Sequence, residues 1–186
     1  KKFSHCLRIQ IYPDEYYQER IDSVIKFCLK YGFKNVILMF NAECFNVGHI
    51  TKEQLKPWIK VMKEAKEQFN RVGLTVSLNP WIEIGHLDRG RTLQEGQNFT
   101  NMVDKNGKAC DLVACPLDSE WRKYYIDLMS YYVSEIEPAV LWIEDDFRLH
   151  NHEPLDWGGC FCDLHMKEYS KKLGSEISRE EVIKAI

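Results

Sequence analysis

One stretch of the sequence is built for proton transfer. Ala139, Val140, Leu141, Trp142 and Ile143 form an apolar run, and Glu144, Asp145 and Asp146 follow it without a break. In a strand, alternate residues share a face. Trp142, Glu144 and Asp146 would then lie together, with Asp145 on the other side. Crowded carboxylates raise one another's pKa, and an apolar neighbour adds desolvation. One of them can then stay protonated near neutrality and serve as a general acid. Asp146 is the candidate acid, with Asp145 and Glu144 beside it. The plainer alternative is that these acids cap the next loop or pair with Arg148.

A second stretch is built for metal. Cys160, Cys162 and His165 stand as C-x-C-x-x-H. Thiolates and imidazole at such spacing can hold one tetrahedral Zn²⁺, and a fourth ligand must come from elsewhere. Cys115, just before Pro116 and a predicted helix, is the natural candidate, with Cys110 in reserve. Four protein ligands leave no open position, so the zinc would be structural. The alternative is a set of packing cysteines beside a chance histidine. Cys6, Cys28 and Cys44 read as core thiols.

A rival metal reading uses His150 and His152 with Asp145 or Asp146, as in a metal-dependent hydrolase. The same histidines, with Arg148, could instead line a sugar subsite. Other groups at predicted strand ends suit a polyhydroxylated ligand. Asn41 and Asn79 offer amides to hydroxyls, and Trp81 offers an indole face to a sugar ring. Each has a plainer reading as a turn residue, a cap or a half-buried aromatic.

These residues need a scaffold, and the pattern supplies one. Residues 7–12, 35–40, 74–79 and 139–144 read as short apolar strands. Helical spacing fills residues 14–30, ended by Gly32, and a helix capped by Thr51 with Gln54 runs to about residue 72. Pro57 either kinks that helix or delays its start. Residues 82–118 read as a long connection with a turn at 104–107, and residues 119–135 as a helix. Two helical stretches close the chain. This is a β-α unit repeated four times, which implies a parallel sheet with right-handed crossovers. No G-x-G-x-x-G or P-loop follows any strand, so an open nucleotide-binding sheet is disfavoured. A TIM-barrel-like (β/α) half barrel, or a fragment of a full eight-unit barrel, fits better. Barrels carry their chemistry at the carboxyl ends of strands, where the polar residues above collect.

Composition bounds the rest. The chain has 186 residues, 45% of them hydrophobic and 28% charged, with a net charge of -3. That is one globular portion spanning 1–186, with no basic surplus for nucleic acid and no apolar run long enough to cross a bilayer. Seven cysteines, an odd number, argue for a reducing compartment, read as cytoplasmic, rather than a secreted disulfide scaffold. The absence of an initial Met and a closing run that reads as a helix suggest a piece of a longer protein. Unpaired strand edges in such a half barrel predict self-association.

Acids ending the fourth strand, a following C-x-C-x-x-H and an earlier Cys115-Pro116 resemble the family 42 β-galactosidases and related barrels of glycoside hydrolase clan A. The resemblance implies a retaining, two-carboxylate β-galactosidase-like glycoside hydrolase acting on a carbohydrate substrate. Asp145 and Asp146 stand at the family's Asn-Glu position, which makes Asp146 the implied acid/base. Cys115, Cys160, Cys162 and His165 stand at its zinc positions, His165 in place of a cysteine. The family takes its nucleophile, about 5–5.5 Å from the acid, from strand seven. Four units do not reach that strand, so this chain is expected to be inactive alone. A non-catalytic, zinc-braced carbohydrate-binding or structural module is the alternative.

Overall fold

The computed structural model describes residues 5–40, 49–80, 93–143, 153, 155 and 159–185. The protein is mixed α/β. Its elements divide into two compact units.

The first unit holds β1 (Cys6–Gln10), α1 (Tyr17–Tyr31), β2 (Asn35–Phe40), α2 (Lys52–Arg71), β3 (Thr75–Pro80) and the end of α3 (Ser119–Ile136). β1, β2 and β3 are parallel and lie side by side in chain order. The predicted fourth strand is shorter than expected. It pairs with β3 through one parallel bridge, Leu78 to Leu141. Three backbone bonds carry that pairing: Ala139 N–H to Val76 O at 2.8 Å, Leu78 N–H to Val140 O at 2.9 Å and Trp142 N–H to Leu78 O at 2.7 Å.

The register explains why these strands are apolar. Val36 faces Val76 and Leu38 faces Leu78, and all four side chains are buried. This row needs cover, and α1 and α2 each carry an apolar stripe that supplies it, Ile21, Val24 and Cys28 on one and Leu55, Trp58, Ile59, Met62, Ala65 and Phe69 on the other. The side-chain amides of Gln18 and Gln68 join the two helices at 2.8 and 2.9 Å.

Helix ends follow the sequence signals. Gly32 ends α1 in the left-handed conformation, φ 76°, and its N–H bonds Cys28 O. Thr51 and Gln54 make a reciprocal capping box at the start of α2. α2 neither starts late nor stops at Pro57, which lies inside it. One missing N–H there is outweighed by the seven buried side chains of the helix. Cys28 is buried as expected, but Cys6 is exposed at the start of β1. Cys44 lies outside the described residues.

The second unit holds β4 (Asn101–Val103), β5 (Ala109–Ala114), the start of α3, α4 (Asp163–Leu173) and α5 (Arg179–Ala185). β4 and β5 form an antiparallel hairpin inside the stretch read as a loop. The turn at 104–107 is its tip. Asp104 is buried there and its carboxylate accepts the N–H groups of Asn106 and Lys108 at 3.0 and 2.6 Å. Gly107 turns the chain at φ 87°. Among the described residues no closed barrel is formed, and no helix is long and apolar enough to cross a membrane.

Candidate metal centre

The β4–β5 hairpin sets up a four-ligand cluster. β5 runs directly into Cys115, whose N–H bonds Thr100 O at 2.6 Å and so holds it beside the start of β4. The segment carrying Cys160 and Cys162 lies along β4. Phe161 N–H bonds Val103 O at 2.8 Å, and Val103 N–H donates to Cys160 Sγ at 3.4 Å. Cys162 is the N-cap of α4, which places His165 in the first helical turn. Asp163 shares that turn, whose positive end favours a thiolate at the cap.

The ligand atoms of Cys115, Cys160, Cys162 and His165 all lie within 4.8 Å of one another. Cys115 Sγ is 3.3 Å from His165 Nδ1 and 3.5 Å from Cys162 Sγ, and Cys162 Sγ is 3.5 Å from His165 Nδ1. A tetrahedral zinc with ordinary bond lengths has edges of about 3.8 Å between sulfurs and about 3.5 Å between sulfur and nitrogen. The cluster is therefore already close to the size a tetrahedral ion requires. The three cysteines are buried and His165 is half-buried. This Cys₃His set can bind a metal ion, and four protein ligands close it to substrate.

The electrostatics describe a cluster short of a cation. Neighbouring thiols, first Cys160 and then Cys162, together with burial, push the Cys115 thiol up. Hydrogen bonds from Cys115, Cys160 and His165 push Cys162 down, against its desolvation. Cys160 and Cys162 together raise His165 to about 9. Without a metal the site balances a thiolate against an imidazolium. A bound divalent ion supplies that positive charge instead.

Outer contacts fix the ligands. Leu117 N–H donates to Cys115 Sγ at 3.4 Å. Arg179, the first residue of α5, donates from Nε and Nη2 to Phe161 O at 3.3 and 3.2 Å, between the two cysteines. Its guanidinium lies over Gly107, where a Cβ would collide with it. The absence of a side chain at the hairpin tip thus admits the arginine that steadies the C-x-C segment. The surrounding core is small: Met102, Cys110, Val113 and Leu155, with the three ligand cysteines, are its buried members. Cys110, the reserve ligand, is not in the cluster. Its thiol donates to Glu153 O at 3.4 Å.

Asp118 ties the same region to α3. It is buried, and its carboxylate accepts the N–H of Thr100 at 2.9 Å and that of Trp121 at 2.8 Å. Burial pushes its pKa up, but hydrogen bonds from Thr100 and Trp121 outweigh this and hold it below the usual 3.8. Asp118→Ala is expected to cost about 1–2 kcal/mol, the range for a lost helix cap. Because the folded value is depressed, this contribution is whole above pH 3.8 and is lost on acidification below it. Urea unfolding of the variant at pH 7 and pH 3 measures both effects, and equal stability at pH 7 would remove Asp118 as a cap.

Of the other candidate catalytic and substrate-binding residues read from the sequence, only Asn79 is described. It is buried at the end of β3, and its Nδ2 donates to Trp142 O at 3.1 Å. Asn41, Trp81, Glu144, Asp145, Asp146, Arg148, His150 and His152 lie outside the described residues. The hairpin and Arg179 escaped sequence reading. The D-K-N-G turn signal marked the hairpin, and nothing in the sequence marked the arginine.

No protein-family description matches this chain, and no curated protein matches it. Among solved structures, the spore cortex-lytic enzyme SleL of Bacillus megaterium QM B1551 is similar with a TM-score of 0.39 and 12% identity. The similarity covers 93% of this chain and 44% of that one, so this chain spans less than half of that enzyme.

Proposed function

We propose that the chain is the zinc-braced amino-terminal portion of a (β/α)-barrel glycoside hydrolase, with Asp146 as its general acid/base. The observation that carries this reading is the strand order. β1, β2, β3 and the segment at Leu141 are parallel and adjacent in chain order. A barrel winds that way, whereas a doubly wound sheet reverses direction at a switch point. The kinship with family 42 and clan A rests on the sequence motifs alone. So do the roles of Asp145 and Glu144 beside the acid, and of Arg148, His150, His152, Asn41 and Trp81 as sugar contacts.

Zinc is the proposed ion because three thiolates and an imidazole in a tetrahedral set suit it best. The closed ligand set favours a brace over a catalytic metal, and the metal-dependent hydrolase reading rests on His150 and His152, which lie outside the described residues. The edges of β1 and of residues 139–143, unpaired among the described residues, support the self-association expected of the chain on its own. The cytoplasm is the proposed compartment, since the metal cluster requires reduced thiols.

The test uses the longest natural form of the protein and nitrophenyl β-galactoside and β-glucoside. Hydrolysis is expected there and is expected to fall at least about a hundredfold in Asp146→Asn, the lower range for loss of general acid catalysis. Hydrolysis that survives the substitution unchanged would remove Asp146 from the chemistry. No hydrolysis of any glycoside would leave the non-catalytic carbohydrate-binding module in its place.

A further inference from the structure

The register of the parallel sheet sets a second row of side chains on the face opposite Val36, Leu38, Val76 and Leu78. Gln10 pairs with Met39, and Met39 with Asn79. Because Leu78 pairs with Leu141, the next residues, Asn79 and Trp142, also share this face. Gln10, Met39, Asn79 and Trp142 thus form one row near the carboxyl ends of the strands.

Among the described residues, this row holds an amide without a partner. Gln10 is half-buried, and its Nε2 is buried without a partner among the described residues. Asn79 spends its Nδ2 on Trp142 O. Trp142 is 47% exposed. A buried amide without a partner destabilises a fold, and a methionine of the same length would not. Such an amide is accounted for if a ligand completes it.

We propose that Gln10, Asn79 and Trp142 form one wall of a saccharide subsite. The two amides take neighbouring hydroxyls, and the indole lies on the C–H face of the same ring. The proposal rests on the glycoside hydrolase reading above and names residues that the sequence reading did not assign, Gln10 and Trp142. Gln10 and Asn79 stand two strands apart, about 10 Å between their backbones. On the concave face of a barrel-like sheet, side chains converge toward the span of one sugar ring. Turning the Gln10 amide over exchanges Nε2 and Oε1, so it can meet a hydroxyl as donor or acceptor.

The experiment is saturation-transfer NMR of the metal-loaded full chain with methyl β-D-galactopyranoside and methyl β-D-glucopyranoside, alongside thermal unfolding. In Gln10→Met, Tm without sugar is expected to rise by a few degrees, while sugar binding weakens about fivefold, as for one lost hydrogen bond. Gln10→Glu, which keeps the side chain's shape, provides a second variant. Trp142→Ala is expected to abolish saturation of the ring C–H protons. Sugar binding that Gln10→Met and Trp142→Ala leave untouched overturns the subsite and leaves the glycosidase reading standing. Failure of both glycosides to bind the wild-type chain also overturns it, and the Asp146→Asn assay then decides the wider reading separately.

Discussion

Replacing Cys160 and Cys162 together by Ser is expected to abolish metal binding and to unfold the second unit. A serine hydroxyl is a hard, neutral group at pH 7 and does not replace a thiolate on a soft tetrahedral site. The unit's other buried cluster, Phe99, Ala114 and Trp121, is smaller still. Three of the seven buried members of its core cluster are ligand cysteines. Their apolar companions, Met102, Val113 and Leu155, are too few to offset chain entropy unaided. Zinc-finger peptides draw roughly 10–16 kcal/mol from their ion. Here the effect is expected at several kcal/mol, because α3 also belongs to the first unit, which has its own core. Elemental analysis should show one ion per chain in the wild type and none in the variant. Thermal unfolding should show Tm lower by about 10 °C or more. A variant that loses its ion yet keeps its Tm would mean that the metal braces nothing.

Much of that site was legible in the sequence. C-x-C-x-x-H is a local pattern, and one helical turn from Cys162 to His165 brings both to one point whatever surrounds them. The fourth ligand was harder, because choosing Cys115 over Cys110 depends on tertiary placement. The two lie near opposite ends of one strand, and only the end at Thr100 meets the cluster. The Cys-Pro step before a helix happened to mark the right one. β2 was readable because Val36 to Phe40 is a continuous apolar run, although only Val36 and Leu38 are buried and Ile37 and Met39 are half-buried. The capping box of α2 was readable because Thr51 and Gln54 satisfy each other without outside help.

What was missed depended on pairing rather than on composition. β4 has only three residues, too short for any period to register. β5 carries Asp111, and its strand character comes from pairing with β4 rather than from its own composition. The fourth parallel segment was overextended for the opposite reason. Its apolar run promised a full strand, but the pairing found is one bridge, and Val140, Trp142 and Ile143 are about half exposed. Arg179 could not be foreseen, since its partner is a carbonyl and its room comes from Gly107.

The second large effect expected is on pH. Metal affinity should rise steeply between pH 6 and pH 8, about tenfold per unit for each proton that leaves when the ion binds. All three cysteines bind as thiolates and His165 as neutral imidazole. Cys115, whose thiol is pushed up, and His165, raised to about 9, release protons, while Cys162, pushed down, contributes least. The sign differs between the two forms of the protein. In the metal-free form the folded value of His165 lies above the usual 6.5, so its stabilising contribution is complete below 6.5 and is lost as pH rises through about 9. In the loaded form, alkali favours the ion and with it the fold. The gap in Tm between loaded and metal-free protein should therefore widen from pH 6 to pH 8. Proton release on adding zinc, followed with an indicator dye in weak buffer, gives the stoichiometry directly. A constant gap with no proton release would mean that the cluster is already fully deprotonated.

Cys115 and Cys160 are joined by the proposed ion, yet α3 and the segment that bridges to β3 lie between them in the chain. During synthesis from the amino terminus, a ribosome must deliver that whole intervening stretch before a second ligand emerges. A nascent chain halted at Gly159 holds one cysteine of the set and cannot retain the ion. Capture thus follows formation of the first sheet, and cells starved of zinc should accumulate chains whose first sheet has formed and whose second unit has not.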